Sequence, residues 1–148
     1  MSYTRFGAMI GTSTVVMFAL MYTTVHELDH VWWSQTRAWM ALYMGATMAV
    51  IMLAYMLPMY ANRRVNLAIF GGAALVFVVA FLLVRSQATV DDVSWMKAMI
   101  PHHSIAILTS ERAHITDERV RKLADEIIEA QRREISEMEE LIAALEAE

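Results

Sequence analysis

Three uninterrupted apolar runs fill most of the first half of the chain: Phe6 to Val25, Ala38 to Tyr60 and Asn66 to Val84. None of them contains a charged side chain. Each has about the 20 residues that a helix needs to cross the hydrocarbon core of a bilayer. Beyond Val84 the pattern changes, and apolar positions recur among many charges at helical spacing. Ala124, Ile128, Gln131, Ile135, Met138, Ile142 and Leu145 step alternately by four and three, a heptad-like seam with one polar member. Ahead of it, Thr89 followed by Asp92 predicts a capped helix from about Val90 to Ile115. Thr116-Asp117-Glu118 offers a cap and an acidic first turn for the helix that carries the seam. The short connection between the two predicts an antiparallel hairpin. The expected fold is therefore all-α, three transmembrane helices over residues 1–85 followed by a helical hairpin over 86–148.

Charge sets the expected orientation. Arg5 precedes the first run, Arg63 and Arg64 follow the second, and no acid accompanies them. Short flanks rich in Lys and Arg stay inside. The N-terminus is thus expected in the cytoplasm, the chain in the cytoplasmic (inner) membrane, and the hairpin outside as an extracytoplasmic or periplasmic domain. The first run does not have the form of a cleaved signal peptide, because no small-x-small site follows it. Trp32, Trp33, Trp39 and Trp95 all fall at the outer boundary, where indoles favour the lipid interface. All five His fall on that side as well. From Arg85 onward, eight Lys and Arg stand against fourteen Asp and Glu, a net charge of −6, which excludes the basic footprint of a nucleic-acid binder.

A hairpin of about 60 residues buries too little to be stable alone. It is expected to pair with a second copy as a four-helix bundle, in a homodimer or higher homo-oligomer, or to lie against the membrane part. Within the runs, Gly7 and Gly11, Gly45 and Ala49, and Gly71-Gly72 are small-residue signals for close helix packing. The ladder Met40, Met44, Met48, Met52, Met56 and Met59 reads as adaptable apolar packing, since no ionisable group accompanies it as a transport path would require.

The chemistry concentrates in Met96-Lys97-Ala98-Met99-Ile100-Pro101-His102-His103. Thioether and imidazole ligands suit Cu(I), and imidazole also serves Cu(II) and Zn. With no cysteine in the chain, a soft-metal site must be built from Met and His. On a helix Met96, Met99 and His103 share one face, with His102 three residues after Met99. Pro101 kinks that helix or starts a new one. His26-Glu27-Leu28-Asp29-His30 is a second cluster. If the first helix continues into it, His26 and His30 lie at i and i+4, a chelating spacing, with Asp29 or Glu27 as a ligand or an orienting partner. His114 belongs to the hairpin end or to a separate site. No nucleophile elbow, phosphate loop or catalytic carboxylate pair occurs, so no enzyme is expected.

Met99-Ile100-Pro101-His102-His103 with Ala106-Ile107, then Val120 to Ala124, then Ile127-Ile128, Gln131, Glu134-Ile135 and Met138 resemble the domain-of-unknown-function 305 family, a ferritin-like group. The three apolar runs and Leu28-Asp29-His30 resemble a membrane-bound branch of it. The resemblance implies metal binding, copper foremost, through the Met and His of the M-I-P-H-H motif. It makes Met138 a contributor from the second helix and implies no enzymatic activity. Thr109 stands where the family often has a further Met, which keeps a His-dominated Cu(II) or Zn site open beside a Met-rich Cu(I) one. The expected function is metal buffering, delivery or resistance, with a membrane or periplasmic protein as a further partner. The alternative is an assembly subunit whose hairpin is an oligomerisation module. A third reading, a di-metal carboxylate protein, would rest on Glu111-x-x-His114, the one Glu-x-x-His pair in the hairpin, with Glu134 off the seam.

Overall fold

A computed structural model describes residues 2–147, and these residues form helices and connections with no strand among them. In order they are α1 (Tyr3–Leu20), a 3-10 turn (Leu28–His30), α2 (Gln35–Met56), a second 3-10 turn (Leu57–Met59), α3 (Arg63–Ser86), α4 (Asp92–Arg112) and α5 (Glu118–Glu146). The chain divides into two compact units. One comprises Met1–Met21 with Thr36–Thr89; the other comprises Tyr22–Gln35 with Val90–Glu148. In this division the connection from α1 to α2 falls in the same unit as the hairpin.

In the first unit, Phe6 of α1 packs with Ala49, Leu53 and Tyr60 as a buried cluster. Met52 and Met56 lie against it, the packing role expected of the ladder. The polar atoms at this end satisfy one another. Tyr3 donates its hydroxyl to Asn66 Oδ1 at 2.8 Å, and Asn66 Nδ2 donates to the Tyr60 carbonyl at 2.8 Å. Asn62 caps α3 by accepting from the Arg64 and Val65 amides. Gln87 ends α3 in the left-handed region (φ 53°), its amide donating to the Leu83 carbonyl.

Two helical stretches are long and apolar enough to cross a membrane, Gln35–Met59 and Arg63–Ser86, with mean hydropathies of 1.8 and 2.8. The sequence pattern predicts a third in the run containing α1, and that helix falls short. Its 18 residues carry Arg5 in the first turn and Gly11-Thr12-Ser13-Thr14 in the middle, which dilute its apolar character. Close helix approach is real at one of the small-residue signals. A Cβ on Gly45 would collide with the Thr14 hydroxyl, whereas at Gly7, Gly11, Gly71 and Gly72 it would meet nothing.

In the second unit α4 and α5 form the antiparallel hairpin. Ile100 and Ile107 from α4 pack with Ile135, Met138 and Ile142 from α5, with Met96 completing the buried cluster. Of the predicted seam, Ala124, Ile135, Met138 and Ile142 are buried, while Leu145 is exposed. Asp117 caps α5 as expected, accepting from the Arg119 and Val120 amides. The cap of α4 is Asp91, which accepts from the Ser94 amide at 2.7 Å, in place of Thr89. Hydrogen bonds from Ser94 hold the Asp91 carboxyl below the usual range, and the Arg119 side chain does the same for Asp117. The helix runs through buried Pro101 and stops at Arg112, three residues short of Ile115.

Gly45→Ala should lower the thermal midpoint of the detergent-purified protein, at the scale of about 1–3 kcal/mol typical of overpacking, by forcing α1 from α2. Gly11→Ala should leave the midpoint unchanged. Equal midpoints for the two variants would contradict this contact.

Candidate metal centre

His103 is held on α4 with its ring turned into the hairpin. Its Nδ1 lies 3.0 Å from the Met99 carbonyl oxygen, which can only accept, so Nδ1 carries a proton. Its Nε2 lies 2.7 Å from Glu134 Oε2 on α5. Both ring nitrogens therefore face oxygen atoms, the second in a short hydrogen bond with Glu134. Met96 and Met138, with Trp95, Glu137 and Leu141, line a cavity of about 250 Å³ at this pair. The structure brings Met96, His103 and Met138 to one cavity, and Glu134 joins them.

The other predicted ligands are distributed differently. His102 is exposed, its ring centroid 6.0 Å from that of His103 and tilted by 65°. Met99 contributes its carbonyl to His103, while its side chain packs beside the core. His26 and His30 are not an i, i+4 pair on a continuing helix: α1 ends at Leu20, and His30 closes a short 3-10 turn. They meet instead on α4. The fully buried Ser104 hydroxyl accepts from the His26 amide at 2.7 Å and lies 2.8 Å from His30 Nδ1. The His26 ring stands 3.5 Å from both Glu27 and Glu111, and Glu111 also pairs with Arg132 at 2.7 Å. His26, His30, Arg132, Ser136 and Glu139 are among the residues lining a separate cavity of about 200 Å³. Asp29 is exposed and does not line it.

His114 lies exposed beyond the end of α4, so Glu111-x-x-His114 is not a helical i, i+3 pair. That removes the geometry on which a di-metal carboxylate reading would rest, since Glu111 turns to His26 and Arg132. Among the described residues, no three His, Asp or Glu side chains gather as a ready-made metal cluster. The donors stand as two separated His–carboxylate sets on different sides of α4.

Spacing along the chain does not mark Ser104, Glu111 and Glu134 as members of these sets. Glu134 directly precedes the seam residue Ile135, so it sits roughly 100° round the helix from it. That offset looks peripheral in one dimension but places the carboxylate beside His103.

Residues 83–147 match the family described as domain of unknown function (DUF305). The match takes in α4 and α5, and over this stretch, less than half of the chain, the protein is similar to that family. An uncharacterized protein of Acanthamoeba polyphaga mimivirus is 36% identical over 69 residues, which cover 45% of this chain and 45% of the viral protein. The likeness thus spans less than half of either chain. No solved structure matches.

Ser104→Ala removes the acceptor of the His26 amide, at a cost of about 1–3 kcal/mol for a buried unsatisfied donor. Amide exchange over residues 22–35 should quicken while exchange in α5 stays slow. Unchanged exchange in that segment would mean that its apolar contacts alone hold it.

Proposed function

We propose that this is a membrane-anchored metal-binding protein whose hairpin takes copper outside the cytoplasm, for buffering, delivery or resistance. The observation that carries the proposal is His103. Its Nδ1–H···O=C bond to Met99 leaves Nε2 as the nitrogen aimed at a carboxylate and at a cavity lined by two methionines. A metal-ligating histidine characteristically donates its other ring N–H to a carbonyl or carboxylate, which fixes its orientation. The donor set fits the cargo. His103 with Met96 and Met138 offers soft ligands for Cu(I), and His103 with Glu134 suits Cu(II) or Zn. A cation entering here takes the place of the proton between Nε2 and Glu134. His102, exposed one residue away, is an outer ligand that reaches the cation only by reorienting.

In this reading α2 and α3 cross the cytoplasmic membrane and α1 crosses with them, leaving the N-terminus and Arg63-Arg64 inside. What supports the crossing of α3 is its outward face, where Leu75, Val78 and Leu82 are all at least half exposed. Such a surface is at home in lipid. His26 and His30 form a second, weaker cation site beside Glu27 and Glu111.

Titration of the detergent-purified chain with anaerobic Cu(I), and with aerobic Cu(II) and Zn, tests the proposal. His103→Ala should abolish tight binding, and Glu134→Gln should weaken Cu(II) and Zn by about 10- to 100-fold. Met96→Leu with Met138→Leu should weaken Cu(I) alone. Binding by His103→Ala equal to the parent, at equal helicity, would sink the site and favour the assembly-subunit reading.

A further inference from the structure

The hairpin has two flanks, and within its own unit one of them is covered among the described residues. On one side the 22–35 segment docks through Ser104, with Trp32 against the core and Lys97 Nζ 5.5 Å from the Trp32 ring centroid. On the other side α5 carries a second apolar row. Leu123, Ile127 and Leu141 each directly precede a residue of the internal seam, and each is exposed by 37% or more. Val120 extends the row toward the start of α5, Leu145 lies exposed beside its other end, and Trp95 of α4, 51% exposed, flanks it. The carboxylates that interrupt the row, Glu134 and Glu137, both line the His103 cavity, and Glu134 is the partner of His103 itself. So many large exposed apolar side chains on one flank of a small helical unit mark an interaction surface.

The charges beside the row indicate what covers it. Arg119, Glu126, Arg133 and Glu140 recur every seven residues, each directly preceding a position of the row, with alternating sign. A copy of the same helix laid antiparallel brings Arg119 opposite Glu140 and Glu126 opposite Arg133. A two-fold axis repeats both pairings, so all four charges meet an opposite. A parallel copy offers no such match, because the facing positions are Ala124, Gln131, Met138 and Leu145.

We infer that a second copy of this chain seats antiparallel on the Leu123–Ile127–Leu141 flank of α5 and closes the His103–Glu134 cavity. Two hairpins then make one four-helix bundle, with α5 running across the two-fold axis. The docking stands on the row and its charges; its effect on the cation rests on the reading of His103 given above. The cavity, open on this flank in a single chain, becomes a buried one. Exclusion of water strengthens the hold of charged and polar donors on a cation.

The chain has no cysteine, so single-cysteine variants report one position each. Ala130 lies in the row near the middle of α5, and Glu129 lies one residue away on a different face. Full-length Ala130→Cys and Glu129→Cys, folded by circular dichroism and kept metal-free with chelator, are treated with a short bis-maleimide. Ala130→Cys should become a covalent dimer and Glu129→Cys should not. No cross-link at either position, or equal cross-linking at both, overturns the proposal. If absence of the cross-link is accompanied by slower maleimide labelling of the Ala130→Cys variant in phospholipid vesicles than in detergent, lipid is the occupant instead. Leu123→Glu with Ile127→Glu should yield monomers that bind copper about ten-fold more weakly. Monomers with unchanged copper affinity would overturn the closure of the cavity. Failure of the parent to bind copper would overturn the metal reading and leave the cross-linking result standing.

Discussion

The packing of Ile100 and Ile107 against Ile135 and Ile142 is the contact on which the functional geometry rests. It fixes the register of two helices whose chemistry-bearing residues are far apart in sequence, and it decides what each neighbouring side chain faces. His103 and Ser104 are consecutive on α4, roughly 100° apart round the helix. With the isoleucines buried between the helices, His103 turns to Glu134 on one flank and Ser104 turns to the 22–35 segment on the other. Truncating a buried Ile to Ala costs about 2–5 kcal/mol, a large part of the stability available to a small domain. The His–Glu pair and the docked segment are both dependents of that seam.

The methionines divide by environment. Met52 and Met56 of α2 lie against the Leu53–Phe6 cluster, where an unbranched, polarizable side chain fills gaps between helices. Met96 and Met138 do two things at once, being buried in the hairpin core while also lining the cavity beside His103. Their thioethers need no polar partner, so burial costs them nothing in unmade hydrogen bonds. Soft donors can therefore be stored in a core in a way that carboxylates cannot. Glu134, which cannot be stored so, stays half-exposed and paired with the imidazole.

Local rules make much of this visible in the sequence. The hairpin, the Asp117 cap and most of the α5 seam follow from spacing of three and four and from turn chemistry. The M-I-P-H-H run marks the right stretch of α4. What spacing cannot give is which helix face meets which: Ser104 bonds to residues 74 and 78 positions away, and His103 to one 31 positions away. The i, i+4 expectation for His26 and His30 fails because it assumes that α1 continues past Leu20, whereas the Met21–Glu27 stretch leaves the helix. Their proximity survives by another route, through a shared hydroxyl. Thr89 loses the α4 cap to Asp91 for a simple reason. The helix starts two residues later than the capping pattern implies, and the carboxylate adjacent to its first residue is the better-placed acceptor.

The character of the His103 site follows from its being a pair and not a cluster. A site that presents three or four aligned donors before the cation arrives holds it tightly and releases it slowly. Nε2 and Glu134 already satisfy one another, so in the proposed reading an incoming cation would have to separate a short hydrogen bond before it gained two ligands. Further donors have to come from Met96 and Met138 in the wall, from His102 by rotation, or from outside the chain. Each of these steps subtracts from net affinity while lowering the barrier to release, because the protein regains its internal pair as the cation leaves. Such an arrangement suits a cation that is passed on more than one that is stored. In the proposed reading the exposed flank of α5 beside the pair would be the natural control point, since a second copy seated there would decide whether the cation exchanges with water or with a protein ligand.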